Sequence, residues 1–120
     1  MISKILVANR GEIACRIIRS VQASGYDAVA IYSDVDADAL FTLMADEAVA
    51  LGGNSASESY LDIDKVIKAA RLSGADALHP GYGFLSENAE LAERCEQVGI
   101  KFIGPSAQAI RVMANKSAAK

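Results

Sequence analysis

A ten-residue segment at positions 79–88 has the composition of a ligand-binding loop. It reads His-Pro-Gly-Tyr-Gly-Phe-Leu-Ser-Glu-Asn. Gly81 and Gly83 permit positive φ and leave peptide N–H groups uncovered by side chains, so a ligand can approach the backbone. Ser86 or Asn88 can cap the helix that follows, and a helix N-terminus attracts anions. The segment predicts an anion-binding loop; the alternative is a strand-to-helix turn whose two glycines serve geometry alone.

The loop after the first apolar run is a second candidate site. It keeps the middle glycine and the final alanine of a dinucleotide-binding fingerprint but has Asn9 where the first glycine belongs. Without that glycine the pyrophosphate lacks its tight turn, which argues against nicotinamide or flavin binding even though Asp34 or Asp36 could mimic the ribose-binding acid. Asn9 and Arg10 could instead meet another domain or a charged substrate. Alternatively, Arg10 and Glu12 are solvated or weakly paired with each other.

The remaining chemically reactive side chains are better explained by structural roles. His79 is the only histidine, and at the end of a strand a scaffold role is favoured over catalysis. Asp46 and Glu47 could be a catalytic carboxylate pair, but they stand at the start of a predicted buried strand, which favours a structural role. Cys15 and Cys95 fall in helical patterns without metal-like spacing and are typical of reduced, packed thiols in a cytosolic protein.

Length and composition indicate one globular domain. The chain has 120 residues, 52% of them hydrophobic and 22% charged, with a net charge of -3. A negative net charge without a run of Lys or Arg argues against nucleic acid or an anionic membrane as a partner. No apolar stretch approaches the roughly 18 residues needed to span a bilayer. The chain has no room for a targeting peptide before the first apolar run, so we expect a cytoplasmic protein.

Short apolar runs alternate with helical patterns along the whole chain, and this alternation is typical of βαβ units. It predicts an α/β fold, a Rossmann-like doubly wound parallel sheet with flanking helices. Gly25, Gly74 and Gly99 each end a helix just before a strand and are expected to be left-handed caps. The predicted strands are 4–8, 27–32, 47–51, 77–79 and 101–103; the predicted helices are 12–24, 36–44, 63–72, 88–98 and 107–113.

The ordered motifs of the chain resemble the N-terminal domain of biotin carboxylases, which precedes an ATP-grasp domain. The motifs are residues 5–14 (Ile-Leu-Val-Ala-Asn-Arg-Gly-Glu-Ile-Ala), 45–48 (Ala-Asp-Glu-Ala), 59–61 (Ser-Tyr-Leu), 79–88 and 102–105 (Phe-Ile-Gly-Pro). The resemblance implies a Rossmann-like domain at residues 1–113 and, at 114–120, the start of a linker to an ATP-grasp domain that this chain lacks.

The resemblance also implies a ligase reaction. In this family ATP phosphorylates bicarbonate to carboxyphosphate, which releases CO2, and N1 of biotin on a carrier protein is then carboxylated. The implied cofactors are ATP, Mg²⁺ and biotin, none of them tightly bound to this fragment. The implied partners are the ATP-grasp domain of the same protein, a biotin carboxyl carrier domain, a carboxyltransferase and a second copy in a homodimer. The acceptor, an acyl-CoA or pyruvate, is chosen by the carboxyltransferase.

Several residues acquire expected roles from the resemblance alone. The biotin ring is expected beside Gly81, Tyr82 and Gly83. Lys116 is expected to contact ATP, although Ala114-Asn115 stands where the family usually has Gly-Asp. Arg19, on the outward face of the first helix, is expected at the subunit contact. No catalytic residue and no metal ligand is expected in this fragment, which we therefore expect to be inactive alone.

Two other classes of function are compatible with the same fold. One is a free-standing interaction module that has lost the chemistry. The other is a nicotinamide-dependent oxidoreductase, which the missing first glycine of the fingerprint disfavours.

Overall fold

The computed structural model describes residues 2–104 and 109–110. Five strands form one parallel sheet, as the sequence predicts, and the strand order is β3-β2-β1-β4-β5. Parallel strands covered on both faces are expected to be apolar throughout, and β1 and β2 follow this rule. The strands are β1 (Lys4–Val7), β2 (Asp27–Tyr32), β3 (Glu47–Ala50), β4 (Ala77–His79) and β5 (Lys101–Phe102).

Four helices flank the sheet: α1 (Gly11–Ala23), α2 (Leu40–Met44), α3 (Ile63–Ser73) and α4 (Ala89–Gln97). Helix α1 packs against α2 and α3 against α4. Right-handed crossovers place these two pairs on opposite faces of the sheet, because the strand order runs one way from β1 to β3 and the other way from β4 to β5. The fold is therefore the doubly wound α/β arrangement.

The predicted helix 36–44 is shorter than expected. Residues Asp34–Asp36 form a 3₁₀ turn, and the α-helix begins only at Leu40. The Asp36 side chain is buried and hydrogen-bonded to other parts of the chain, so it leaves the helical path. Of the predicted helix 107–113, only Ala109 and Ile110 lie within the described residues, and both are helical.

Helical periodicity in the sequence predicts that Ile13 and Val98 face the core, and the apolar run at 47–51 predicts a buried strand; these three burial predictions are wrong. Ile13 is only partly buried, and Ala14 faces the core in its place. Val98 is exposed because it lies beyond the last residue of α4 and serves as its C-cap. Strand β3 is largely exposed rather than buried, because it is the edge strand of the sheet. The expectation of a buried strand ignored this edge position.

The predicted glycine caps are confirmed. Gly25, Gly74 and Gly99 have φ of 89°, 72° and 78°, in the left-handed region that glycine adopts without strain. They connect α1 to β2, α3 to β4 and α4 to β5. Within residues 2–104 and 109–110, no helix has the length and apolar character needed to cross a bilayer.

The sheet places two loops side by side at its switch point, where the strand order reverses between β1 and β4. Val7 is paired with His79, and the N–H of Ala8 donates to the carbonyl of His79 at 2.8 Å. The chain therefore leaves the sheet at Asn9 and at Pro80 in adjacent positions. In doubly wound folds ligands bind in this crevice, at the carboxyl ends of the strands.

Candidate functional site

Asn9 bridges the crevice between β1 and β4. Its side chain is buried, with 1% exposed. The Nδ2 group donates to the carbonyl of Pro80 at 3.0 Å and to that of Tyr82 at 2.7 Å, and Oδ1 accepts from the N–H of Arg10 at 2.9 Å. The carboxamide thus lies in the crevice at the position where the dinucleotide fingerprint has its first glycine.

Gly81 is required by this bridge. Its φ is 69°, and a Cβ at this position would lie 2.7 Å from Asn9 Nδ2 and 3.1 Å from Ile17 Cδ1. Both values are too close for a side chain to fit without displacing its neighbours. Gly81 therefore serves close packing between the two loops, and its place beside the biotin ring stays a prediction.

His79 has the scaffold role that the sequence favours. Its Nδ1 accepts from the N–H of Gly81 at 3.1 Å, so Nδ1 carries no proton and the ring is neutral in this arrangement. Burial lowers the pKa of His79, in the direction that maintains this neutral form. The bond also occupies the Gly81 N–H, which the sequence had suggested as a free donor.

The backbone after Gly81 remains open to a ligand. We call residues 80–85 the glycine loop. Gly83 has φ of 68° and Phe84 has φ of 47°, a left-handed conformation that is rare for a bulky residue. The N–H groups of Tyr82, Gly83 and Phe84 donate to no other residue in the described part of the chain. The Tyr82 side chain is 73% exposed, and no atom lies within 4 Å of a Cβ built on Gly83.

Helix α4 begins at Ala89, and residues 86–88 connect it to the glycine loop. The side chain of Asn88 accepts from the N–H of Leu91 at 2.9 Å and forms its N-cap. Of the two predicted capping residues, Asn88 has this role; the Ser86 N–H instead bonds the carbonyl of Gly83 at 2.9 Å. The cap fixes where the loop ends and the helix starts.

A buried polar network supports the other side of the loop. The rings of Phe84 and Tyr60 have centroids 5.6 Å apart. The Tyr60 hydroxyl donates to Asp36 at 2.6 Å and accepts from the N–H of Ser33 at 3.1 Å. Arg10 donates to both carboxylate oxygens of Asp36, at 2.8 and 3.0 Å, in a bidentate pair. The network joins the loops after β1, β2, β3 and β4.

The contacts in this network show which of the predicted roles of Arg10 and Asp36 agree with the structure. Hydrogen bonds from Arg10, and then from Tyr60, lower the pKa of Asp36 to about 2 against the opposing effect of burial. Burial, together with the Asp36 carboxylate, raises the pKa of Tyr60 to about 12. Asp36 is therefore a charged structural centre and is not available to bind a ribose. Arg10 pairs with Asp36, so the predicted weak pair with Glu12 is wrong, while the Arg10 side chain stays 47% exposed.

Arg19 and Asp46 lie outside the crevice. Arg19 is exposed on α1 and lines a groove of about 390 Å³ with Leu40 and Phe41. Lys116 lies outside the described residues. The Asp46 carboxylate accepts from the Ala28 N–H at 2.8 Å and so anchors the edge strand. This contact agrees with the structural role expected for Asp46.

The sequence did not single out Tyr60, although it supports the glycine loop through Phe84. Its only signal was its place in the Ser-Tyr-Leu motif.

A groove of about 440 Å³ also opens beside the loop and is lined by Tyr82, His79 and Arg16 of α1, among others. Within the described residues no cluster of three or more His, Cys, Asp or Glu side chains could hold a metal ion.

Comparison with known proteins identifies relatives along the full chain. Biotin carboxylase 1 of Bacillus subtilis is 52% identical over 120 residues, which are 100% of this chain and 27% of the relative. The methylcrotonoyl-CoA carboxylase subunit alpha, mitochondrial, of Arabidopsis thaliana is 56% identical over 119 residues, 99% of this chain and 16% of the relative. The chain thus spans about a quarter or less of these relatives.

A solved structure shows the same fold. The crystal structure of a biotin carboxylase–beta-gamma-ATP complex from Campylobacter jejuni superposes with a TM-score of 0.94 at 49% identity, covering 100% of this chain and 27% of that one. The family model for the biotin carboxylase N-terminal domain matches residues 1–110. This match over nearly the whole chain, with the doubly wound sheet and the glycine loop at its switch point, shows that the chain belongs to the biotin carboxylase N-terminal domain family.

Proposed function

We propose that this chain is the N-terminal domain of a biotin carboxylase and contributes one wall of its biotin-binding site. The observation that carries the proposal is the open part of the glycine loop. There, three successive N–H groups, of Tyr82, Gly83 and Phe84, have no partner among the described residues, and the Tyr82 ring is exposed beside them. The ureido group of biotin carries a carbonyl oxygen that accepts hydrogen bonds and a flat surface that can pack on an aromatic ring.

The proposed reaction is the ATP-dependent carboxylation of biotin N1 on a carrier protein, with bicarbonate as the carbon source. The described residues supply no metal-binding cluster, so Mg²⁺ and most ATP contacts belong to the remainder of the protein in this proposal. This domain would orient biotin through its backbone donors and exclude water from that side of the site. Alone it would be inactive.

The biotin wall is tested by Gly83→Asn in the full-length enzyme. Asparagine tolerates the left-handed φ of Gly83 and adds a side chain where the structure has open space. We expect the KM for biotin to rise about tenfold or more, equivalent to ~1.4 kcal/mol, with little change in melting temperature. The matched control is Gly74→Asn, which has a similar φ of 72° and open space but lies at the end of α3. Unchanged biotin kinetics in Gly83→Asn would reject the wall.

Lys116 is proposed to contact ATP on the basis of the resemblance alone. In the full-length enzyme, Lys116→Ala should raise the KM for ATP more than the KM for bicarbonate, because an ammonium group binds phosphate as a point charge. Steady-state kinetics with each substrate varied in turn measure both constants. If the KM for ATP does not change, Lys116 has no such role.

Three further assignments complete the proposal. Arg19 would lie at a homodimer contact, and its exposure and the groove that it lines with Leu40 support this assignment. Sedimentation of the full-length Arg19→Glu variant tests whether the substitution disrupts the dimer. The other partners would be the ATP-grasp domain, a biotin carboxyl carrier domain and a carboxyltransferase. A cytoplasmic location is supported by two buried free cysteines, and fluorescence imaging of the full-length protein tests it.

A further inference from the structure

Asn9 is held in one orientation by its own hydrogen bonds. Its Oδ1 accepts from a backbone N–H, and its Nδ2 donates to two backbone carbonyls. The reversed carboxamide would set an oxygen against both carbonyls and a donor against an N–H, so the buried group has a single acceptable orientation. The anchoring N–H belongs to Arg10, whose guanidinium is in turn fixed by Asp36. The carboxamide is therefore a rigid contact for the glycine loop.

The bond from Asn9 to Tyr82 also determines where the next N–H points. The carbonyl of Tyr82 and the N–H of Gly83 belong to one peptide group, and no cis peptide occurs among the described residues. In a trans peptide the C=O and N–H point in opposite directions. Because the Tyr82 carbonyl is turned inward to Asn9, the Gly83 N–H is turned away from it, towards the open side of the loop.

In the Pro80–Gly81 peptide, too, the C=O points to Asn9 and the N–H points away from it. The carbonyl of Pro80 also accepts from Asn9, and the N–H of Gly81 in that peptide reaches His79 Nδ1. One side chain therefore sets two of the peptide planes in the loop. The absence of a Cβ on Gly81 permits this contact, because that atom would lie 2.7 Å from Asn9 Nδ2.

We propose that Asn9 is a positioning residue for the biotin-binding wall: its carboxamide orients the Tyr82–Gly83 peptide so that the Gly83 N–H can donate to a ligand carbonyl oxygen. The inference rests on the proposed function, since it takes the ureido oxygen of biotin as that acceptor. Asn9 does not itself touch the ligand. It acts by keeping the donor in place before the ligand arrives, so that binding does not have to order the loop.

The test uses two variants of the full-length enzyme. Asn9→Asp keeps the shape and the acceptor for the Arg10 N–H but removes both donors. Asn9→Ala also removes them and introduces no charge. The matched control is Gln22→Glu, which makes the same amide-to-acid change near the other end of α1, where Gln22 Nε2 donates to the carbonyl of Met44 at 2.9 Å. Each protein is assayed for biotin and ATP kinetics and for amide hydrogen exchange.

We expect kcat/KM for biotin to fall about 10- to 100-fold in both Asn9 variants, because misplacing a contact by about 1 Å can cost 100-fold. The KM for ATP should not change. Exchange should become faster in the peptide covering residues 79–85 and stay unchanged in β2. Gln22→Glu should show neither the kinetic nor the exchange effect. A general loss of stability would instead affect ATP kinetics and exchange in β2 as well.

The outcomes separate this inference from the function on which it rests. Unchanged exchange at 79–85 and unchanged biotin kinetics in a folded Asn9 variant would overturn the positioning role, even if Gly83→Asn impairs biotin use. A third outcome is faster amide exchange at 79–85 in the Asn9 variants, with normal biotin kinetics in both the Asn9 and the Gly83 variants. It would show that Asn9 orders the glycine loop and would overturn the link between this loop and biotin. If both Asn9 variants fail to fold, the bonds serve global stability and the positioning role is rejected.

Discussion

At the scale of single residues, buried polar side chains connect loops that are distant in sequence. Asp36 accepts from Arg10, Tyr60 and Ser33, and no buried side-chain polar atom in the described residues lacks a partner. Removing one member of such a network leaves the others unsatisfied, which costs more than the bond itself contributes. These residues therefore support the glycine loop at a distance from any ligand.

The Asp36 network predicts a specific loss of stability in acid. The pKa of Asp36 is lowered from 3.8 to about 2 in the folded chain, so its contribution is complete above the unfolded pKa and is lost as pH falls through the folded one. The shift corresponds to about 2 kcal/mol at neutral pH, of which about 1 kcal/mol is lost by pH 3.

Urea unfolding at pH 7 and pH 3 measures this effect. Asp36→Asn should be less stable than wild type at pH 7, and the difference should narrow by about 1 kcal/mol at pH 3. Asp38→Asn changes an exposed aspartate two positions away and is the control. A difference between wild type and Asp36→Asn that is the same at both pH values would contradict the assigned role of the Asp36 charge.

At the scale of elements, the helix that follows the glycine loop shares a feature with α3. Asn88 caps α4 by accepting from Leu91, and Asp62 caps α3 by accepting from Lys65 at 3.1 Å. The two caps differ in position: Asn88 is the last residue between the loop and its helix, whereas Asp62 lies after the loop that follows β3. They form a natural matched pair.

Asn88→Ala and Asp62→Ala should each lower the free energy of unfolding by about 1 kcal/mol, the usual cost of losing an N-cap. Only Asn88→Ala should also raise the KM for biotin in the full-length enzyme, because the start of α4 sets the end of the glycine loop. Thermal unfolding and biotin kinetics provide the two measurements. Equal effects on biotin use from both variants would show that stability alone is responsible.

The sequence predicted elements better than it predicted contacts between them. The β4 range matched residue for residue, and the sheet class followed from the alternation of strands and helices. The exposure of β3 was missed because its position at the edge depends on strand order, which local patterns do not contain. The bridge from Asn9 was missed because it ends on backbone carbonyls 71 and 73 residues away, and a carbonyl acceptor leaves no mark on residue type.

At the scale of the whole molecule, the described residues form an apolar core, and one wall of a larger site is proposed beside it. Buried residues from β1, β2 and β4 and from all four helices form that core. The glycine loop, with its free N–H groups, lies at one end of the sheet. No cluster of three or more metal-binding side chains occurs in the described residues. The boundaries of 1–113 for the domain and 114–120 for a linker stay predictions.

The 120-residue chain has an apolar core and, in the proposed function, one wall of the site, and these two features predict how the chain behaves alone. It should unfold in one cooperative transition, since a single domain with one core is usually two-state. Neither ATP nor NAD at millimolar concentration should raise its melting temperature, because a ligand stabilises only a state that it binds. ATP would lack the remainder of its site, and Asn9 occupies the crevice that NAD would need. A clear rise in melting temperature with NAD would show that the crevice opens and would contradict the rigid Asn9 bridge. A rise with ATP, or hydrolysis of ATP, would place the nucleotide site within this domain.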